Sequence, residues 1–189
     1  MRVLALLIAG ALNVVSLQAG ESEDDRLETS RDLATSLQSK LGPRLMATLT
    51  SDGPVEAIKV CQLEAGVIAT GVSEDSTAHV GRTALKVRNP SNAADEDARK
   101  VLNVFQQRLE DGEQLPFEYF TTTEDGGARY MRSIPTQPVC LTCHGSELAP
   151  EVKAAVLERY PLDEATGFAI GDLRGAFIVD WPGASAPGD

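Results

Sequence analysis

Cys140-Leu141-Thr142-Cys143-His144 sets two thiols three positions apart and an imidazole directly after them. Thiols at that spacing reach neighbouring edges of one macrocycle and add to the vinyl groups of haem, while the histidine beside them lies under its centre and ligates iron. The run therefore points to covalently attached haem c, with Cys140 and Cys143 as thioether donors and His144 as the proximal iron ligand. Two other chemistries use such a pair. A redox dithiol normally comes early in a βαβ pattern, whereas this pair comes late, after segments that read as antiparallel strands. A zinc site needs further ligands, and only Cys61 and His79 are left to supply cysteine or histidine. A zinc or dithiol interaction domain without haem stands as the remaining alternative.

The chain has 3 cysteines, so two thioethers leave Cys61 alone. One reading makes it a buried core cysteine behaving as a small apolar residue. The other makes its thiolate the distal iron ligand, since thiolate binds haem iron and metal binding keeps the sulfur deprotonated. His79 offers bis-histidine ligation instead, against the ordinary role of a surface histidine. Met46 and Met131 offer thioether ligands, against core packing. Arg82, Arg88 and Arg129 match the geometry of haem propionates, against solvated positions on strands and turns. Tyr130, next to the haem-bearing segment, donates a hydrogen bond or only packs.

The N-terminus agrees with this chemistry. Arg2 precedes an apolar stretch over 3–15, and Gln18-Ala19-Gly20 offers small residues for a signal peptidase, with Leu17 an imperfect match upstream. The reading is a signal peptide over 1–19, too short to span a bilayer, then one domain over 20–183 and a loose tail over 184–189. About 170 residues then remain, enough for a single core. Haem is attached to c-type proteins outside the cytoplasmic membrane, so the expected location is periplasmic or secreted, with no stable membrane span after cleavage.

The net charge of −11 argues against nucleic acid as a partner and favours a basic one. Glu21-Ser22-Glu23-Asp24-Asp25 reads as a solvated start to the mature chain. No Ser/His/Asp set can be built and no phosphate-binding glycine loop is present, so no enzyme activity is expected.

The elements that must position these residues follow from periodicity. Leu33, Leu37, Leu41, Leu45 and Leu49 form one stripe on a helix over 25–50, which Gly42-Pro43 is expected to bend or divide. A second helix over 54–70 begins at Pro54 and puts Ala57, Cys61, Ala65 and Ile68 on one face. Strands are predicted over 79–87, 117–123, 128–133 and 173–181, the middle two joined in a hairpin by Glu124-Asp125-Gly126-Gly127. Helices are predicted over 94–109, capped by Asn92, and over 150–160. The fold class is α+β in one domain.

Four blocks carry a family resemblance: Ala57 to Cys61; Gly81 to Asn92, with its Arg88-Asn89-Pro90-Ser91-Asn92; Arg129-Tyr130 through Cys143-His144-Gly145; and Tyr160-Pro161 through Gly171-Asp172-Leu173-Arg174-Gly175. In these the chain resembles the exported haem domains with a PAS-like fold, historically listed as a domain of unknown function and often fused to bacterial sensor kinases. The resemblance spans nearly the whole mature chain. It implies a PAS-like antiparallel sheet with N-terminal helices, thioethers at Cys140 and Cys143, and proximal ligation by His144. It also implies distal ligation by a helix-borne cysteine, which maps onto Cys61. Ala84, Val87 and Ala93-Ala94-Asp95 depart from the family pattern at positions that bear on packing or a turn.

An anionic thiolate favours Fe(III), so a His/Cys iron has a lower potential than one with methionine, and reduction weakens the iron–sulfur bond. A thiolate that protonates and leaves opens a position for CO, NO or another small ligand. The expected function is a redox or small-ligand sensor working through a separate partner protein, with a periplasmic electron-transfer cytochrome as the alternative.

Overall fold

The N-terminal helix α1 (Glu23–Ser51) begins at a capping box, in which the Ser22 hydroxyl accepts from the Asp25 amide at 3.1 Å and the Asp25 carboxylate accepts from Ser22. The structure, a computed structural model, describes residues 22–74 and 76–183. The leader expected over 1–19, the acidic Glu21 and the tail over 184–189 lie outside the described residues. Of the two effects expected of Gly42-Pro43, division does not occur: α1 runs on through Pro43. Pro43 and Ser39 are both exposed, so the Ser39 carbonyl, one turn earlier and without an amide donor, lies on a stretch of helix open to water. The leucine stripe is real but serves two purposes. Leu33 and Leu37 join the core, and Leu41, Leu45 and Leu49 line a cavity.

The second helix is interrupted. α2 (Pro54–Lys59) passes into a π-helical stretch, Val60–Glu64, before α3 (Ala65–Ser73) resumes. The widened turn shifts the phase expected of an unbroken α-helix. Ala57, Val60, Ala65 and Val72 are buried, while Cys61 and Ile68 are only partly so.

Strand β1 (His79–Thr83) ends sooner than its sequence pattern suggests, because Ala84 leaves the ladder to form a parallel bridge with Ala93. That bridge closes a loop whose Pro90–Asn92 turn is capped by the Asn89 side chain accepting from the Ser91 amide at 3.0 Å. Helix α4 (Glu96–Glu110) is capped by Asp95, whose carboxylate accepts from the Ala98 amide at 2.8 Å, and not by Asn92. β2 (Glu118–Thr122) and β3 (Ala128–Pro135) form the expected hairpin. A 3-10 turn, Pro138–Cys140, leads into the single turn α5 (Leu141–His144), followed by α6 (Pro150–Arg159) and β4 (Leu173–Trp181).

The four strands form one antiparallel sheet in the order β1-β4-β3-β2, which places the first and last strands side by side. One face, with Val80, Tyr130, Phe177, Val179 and Trp181, packs against Leu33 and Leu37 of α1 and Val72 of α3. The other, with Met131 and Ala176, packs against Ala98, Leu102 and Phe105 of α4. Ile58 of α2 packs separately on Val152 and Val156 of α6. This is the α+β, PAS-like architecture in one domain.

At the start of β4 the ladder is irregular. Ile134 pairs with Gly175 but Pro135 pairs with Leu173, so Arg174 is the extra residue of a β-bulge. Gly175 has φ +152, and a Cβ there would lie 2.5 Å from the Thr83 carbonyl oxygen. Gly175→Ala is therefore expected to destabilise the protein by about 1–3 kcal/mol. Gly66→Ala, in α3 with nothing within 4 Å of the added carbon, is expected to stabilise it by roughly 0.5–1 kcal/mol. Urea unfolding of the two variants should show the opposite signs.

Candidate functional site

A cavity of about 270 Å³ opens between α1, the α2 and π-helical segment, the loop after β1, the Cys140–His144 run and the start of β4. Its walls are largely apolar, from Leu41, Leu45, Leu49, Ala57, Ile58, Ile134 and Phe177. Cys61, Cys140, Cys143 and His144 all line it. The sequence-derived candidates thus meet in one place.

The dithiol segment is held in a tight turn. Pro138 starts the 3-10 turn and the Cys140 sulfur accepts from the Gln137 amide at 3.4 Å. Gly145 closes α5, where a Cβ would come within 2.8 Å of the Leu141 carbonyl oxygen. All three cysteines are free thiols and partly buried. Burial raises the Cys143 pKa, against the lowering effect of Arg88.

His144 is oriented by its far nitrogen. Nδ1 lies 2.6 Å from the Ala165 carbonyl oxygen, to which it donates, so the tautomer leaves Nε2 with a free lone pair. Burial, then the positive charges of Arg174 and Arg88, push the His144 pKa down to about 3. The ring is therefore neutral at ordinary pH, the form that ligates a metal. Phe168 meets it edge-on at 6.3 Å between ring centroids. The His144 carbonyl accepts from the Phe168 amide and the Gly145 carbonyl from the Gly167 amide, each at 3.0 Å.

Arg88 fixes that arrangement. It pairs with Asp163 through Nε and Nη2 at 3.1 and 3.0 Å, and donates to the Cys143 carbonyl at 2.6 Å and the Ala165 carbonyl at 3.4 Å. Asp163 in turn accepts from the Ala165 amide at 3.0 Å. The pair is buried, with side chains 7% and 3% exposed. One guanidinium thus ties the second cysteine to the residue that orients the histidine.

The remaining candidates separate clearly. His79 is exposed at the outer end of β1 and does not line the cavity. Met46 is exposed, and Met131 is buried on the α4 side of the sheet. Tyr130 is buried in the core and donates to Glu118 at 2.6 Å. Arg129 is held by Asp95 and Asp180, away from the cavity. Arg88 is committed to Asp163. Arg82 does line the cavity, and its pKa is lowered by burial, against Cys61 and Tyr160.

Two lining residues had no assigned role from sequence. Tyr160 is buried there at the end of α6. Arg174 enters from the β-bulge, with its pKa lowered to about 10 by burial and by Arg88 and Arg82. The glycine after Arg174 was the one local hint of an irregular strand. Among the described residues, no three His, Cys, Asp or Glu side chains converge to hold a bare metal ion. No helix among the described residues is long and apolar enough to cross a membrane.

The model of the Tll0287-like family matches residues 14–182. The crystal structure of the cyanobacterial heme-protein Tll0287 is similar, with a TM-score of 0.63 and 28% sequence identity, over 90% of this chain and 100% of that one. No curated protein matches.

Arg88→Met should lower unfolding stability by about 3–5 kcal/mol, because it strands the buried Asp163 carboxylate. Arg88→Met with Asp163→Asn should lose clearly less than the sum of the two single changes. Urea titration of the four-member cycle measures that coupling.

Proposed function

This chain belongs to the Tll0287-like family, and from that premise we propose that it is an exported haem protein that senses redox state or a small ligand. In this reading haem c is joined to Cys140 and Cys143, with His144 as proximal and Cys61 as distal iron ligand. The observation that carries it is the convergence of three free thiols and a neutral imidazole on one cavity. Similarity to a protein described as a heme-protein supports it. When bound, haem supplies a one-electron couple and a coordination position for small ligands.

The chain's residues would divide the work. Cys140 and Cys143 anchor, and His144, set by Ala165, keeps Nε2 available to the iron. With haem bound, the Cys61 thiolate would favour the ferric state and lower the potential, and it would be the ligand released on reduction. Cys61 lies in the π-helical stretch, where the hydrogen-bond register already departs from that of the flanking helices. A change of register there would move the Cys61 side chain while α2 and α3 keep their own hydrogen bonds. The expected leader puts this chemistry in the periplasm or outside the cell, and a separate partner protein receives the signal. No catalytic set is proposed.

Electron transfer is the second reading. Val139, 40% exposed, lines the cavity next to Cys140, so one edge of the site reaches the surface.

The pyridine haemochrome spectrum of protein made in a host with cytochrome maturation machinery should report thioether-linked haem. Cys61→Ala should replace the low-spin ferric spectrum with a high-spin one and raise the midpoint potential. Unchanged ferric absorption and electron paramagnetic spectra would remove Cys61 from the iron. CO binding to the reduced wild type with loss of the sulfur ligand supports the sensor. A reversible potential with both ligands retained supports the carrier.

A further inference from the structure

Arg82, Arg88 and Arg174 all line the cavity, and no Asp or Glu does. Asp163 neutralises Arg88 from behind. The other two guanidiniums have no carboxylate partner among the described residues. Arg174 makes a 3.4 Å bond to the Lys86 carbonyl and lies 5.1 Å from the Phe168 ring centre. The Arg82 side chain makes no hydrogen bond or ion pair among the described residues. Partly buried cations left this way are costly, and two on one cavity repel each other.

The backbone is bent to put one of them there. Arg174 is the extra residue of the bulge in β4, and Gly175 beside it adopts φ +152 against the Thr83 carbonyl. A regular strand would have kept the strict alternation of faces, without an extra residue to re-aim. Strain of this kind persists where the surroundings fix it and commonly marks a ligand site.

We propose that Arg82 and Arg174 form a carboxylate-binding end of the cavity and that each takes one propionate of haem. The inference rests on the haem reading above and deepens it. Two unpaired guanidiniums match the charge of two carboxylates, and their planar donors suit bidentate pairing. Arg88 is excluded because Asp163 and two backbone carbonyls already occupy it. Arg129 is excluded because Asp95 and Asp180 hold it outside the cavity.

The test uses the full haem-loaded chain, in which thioether linkage would keep the cofactor attached when a propionate contact is lost. Resonance Raman bands for propionate bending report hydrogen bonding to each carboxylate. Arg174→Met and Arg82→Met should each shift one component of that band, and the double variant should shift both. Arg174→Lys should restore most of the wild-type position. Arg108→Met, whose partner Glu113 lies outside the cavity, should shift nothing. Wild-type bands in both cavity variants would overturn the proposal, even if thermal stability fell, because a structural role alone moves stability and not the band. Wild-type protein without haem would overturn the reading beneath it, a separate result seen in the haemochrome spectrum.

Discussion

The buried pair between Arg88 and Asp163 is the interaction on which the site depends. It joins three segments far apart in sequence: the loop after β1, the second cysteine of the dithiol run, and the turn whose Ala165 carbonyl orients His144. Magnitudes separate it from the other ion pairs. Lys100 and Glu96 are 65% and 85% exposed, and water screens such a pair so that it contributes little. Arg88 and Asp163 are nearly sealed from water, so neither charge is tolerable without the other. The pair therefore specifies geometry more than it adds stability. Its position forces Cys143 and Ala165 into register with each other, and the imidazole follows.

Regular structure and irregular structure divide the labour. The sheet and the helices on its two faces supply the burial that holds the fold, through clusters around Tyr130 and Val179 on one side and Phe105 and Met131 on the other. The departures collect at the cavity. Cys61 lies on a π-helical stretch, Arg174 on a β-bulge, and the dithiol run on a single tight turn. Each aims a side chain where an unbroken helix or strand would not, which is how a common architecture is made into a particular site.

Legibility in sequence tracks the range of the interaction. The Cys140–His144 run was readable because covalent reach over five residues is local. Strand 173–181 was readable because its alternation is set by the two faces it covers. The cavity position of Cys61 was reached through helical periodicity, although the π-helical stretch shifts the phase that argument used. Arg88 reads as a propionate partner or a solvated turn residue, and not as half of a buried ion pair, because Asp163 lies 75 residues away. Arg174 was invisible because its bulge is created by pairing with Ile134 and Pro135 on another strand. Pro43 leaves α1 undivided, which its sequence does not show, because a helix breaker costs less where water replaces the lost donor.

Charge distribution gives the last constraint. With 28 acidic residues against 17 basic ones, carboxylates are not scarce, and Arg31, Arg44, Arg108, Arg129 and Arg159 all have them as partners. This acidic chain folds with the unpaired guanidiniums of Arg82 and Arg174 in a cavity that no Asp or Glu lines, so the cavity is positive against the chain's own average. The largely apolar walls strengthen the field of these guanidiniums inside the cavity. The cavity lining is therefore largely apolar and carries positive charge, with the sulfur and nitrogen donors of Cys61, Cys140, Cys143 and His144 among the other residues that line it.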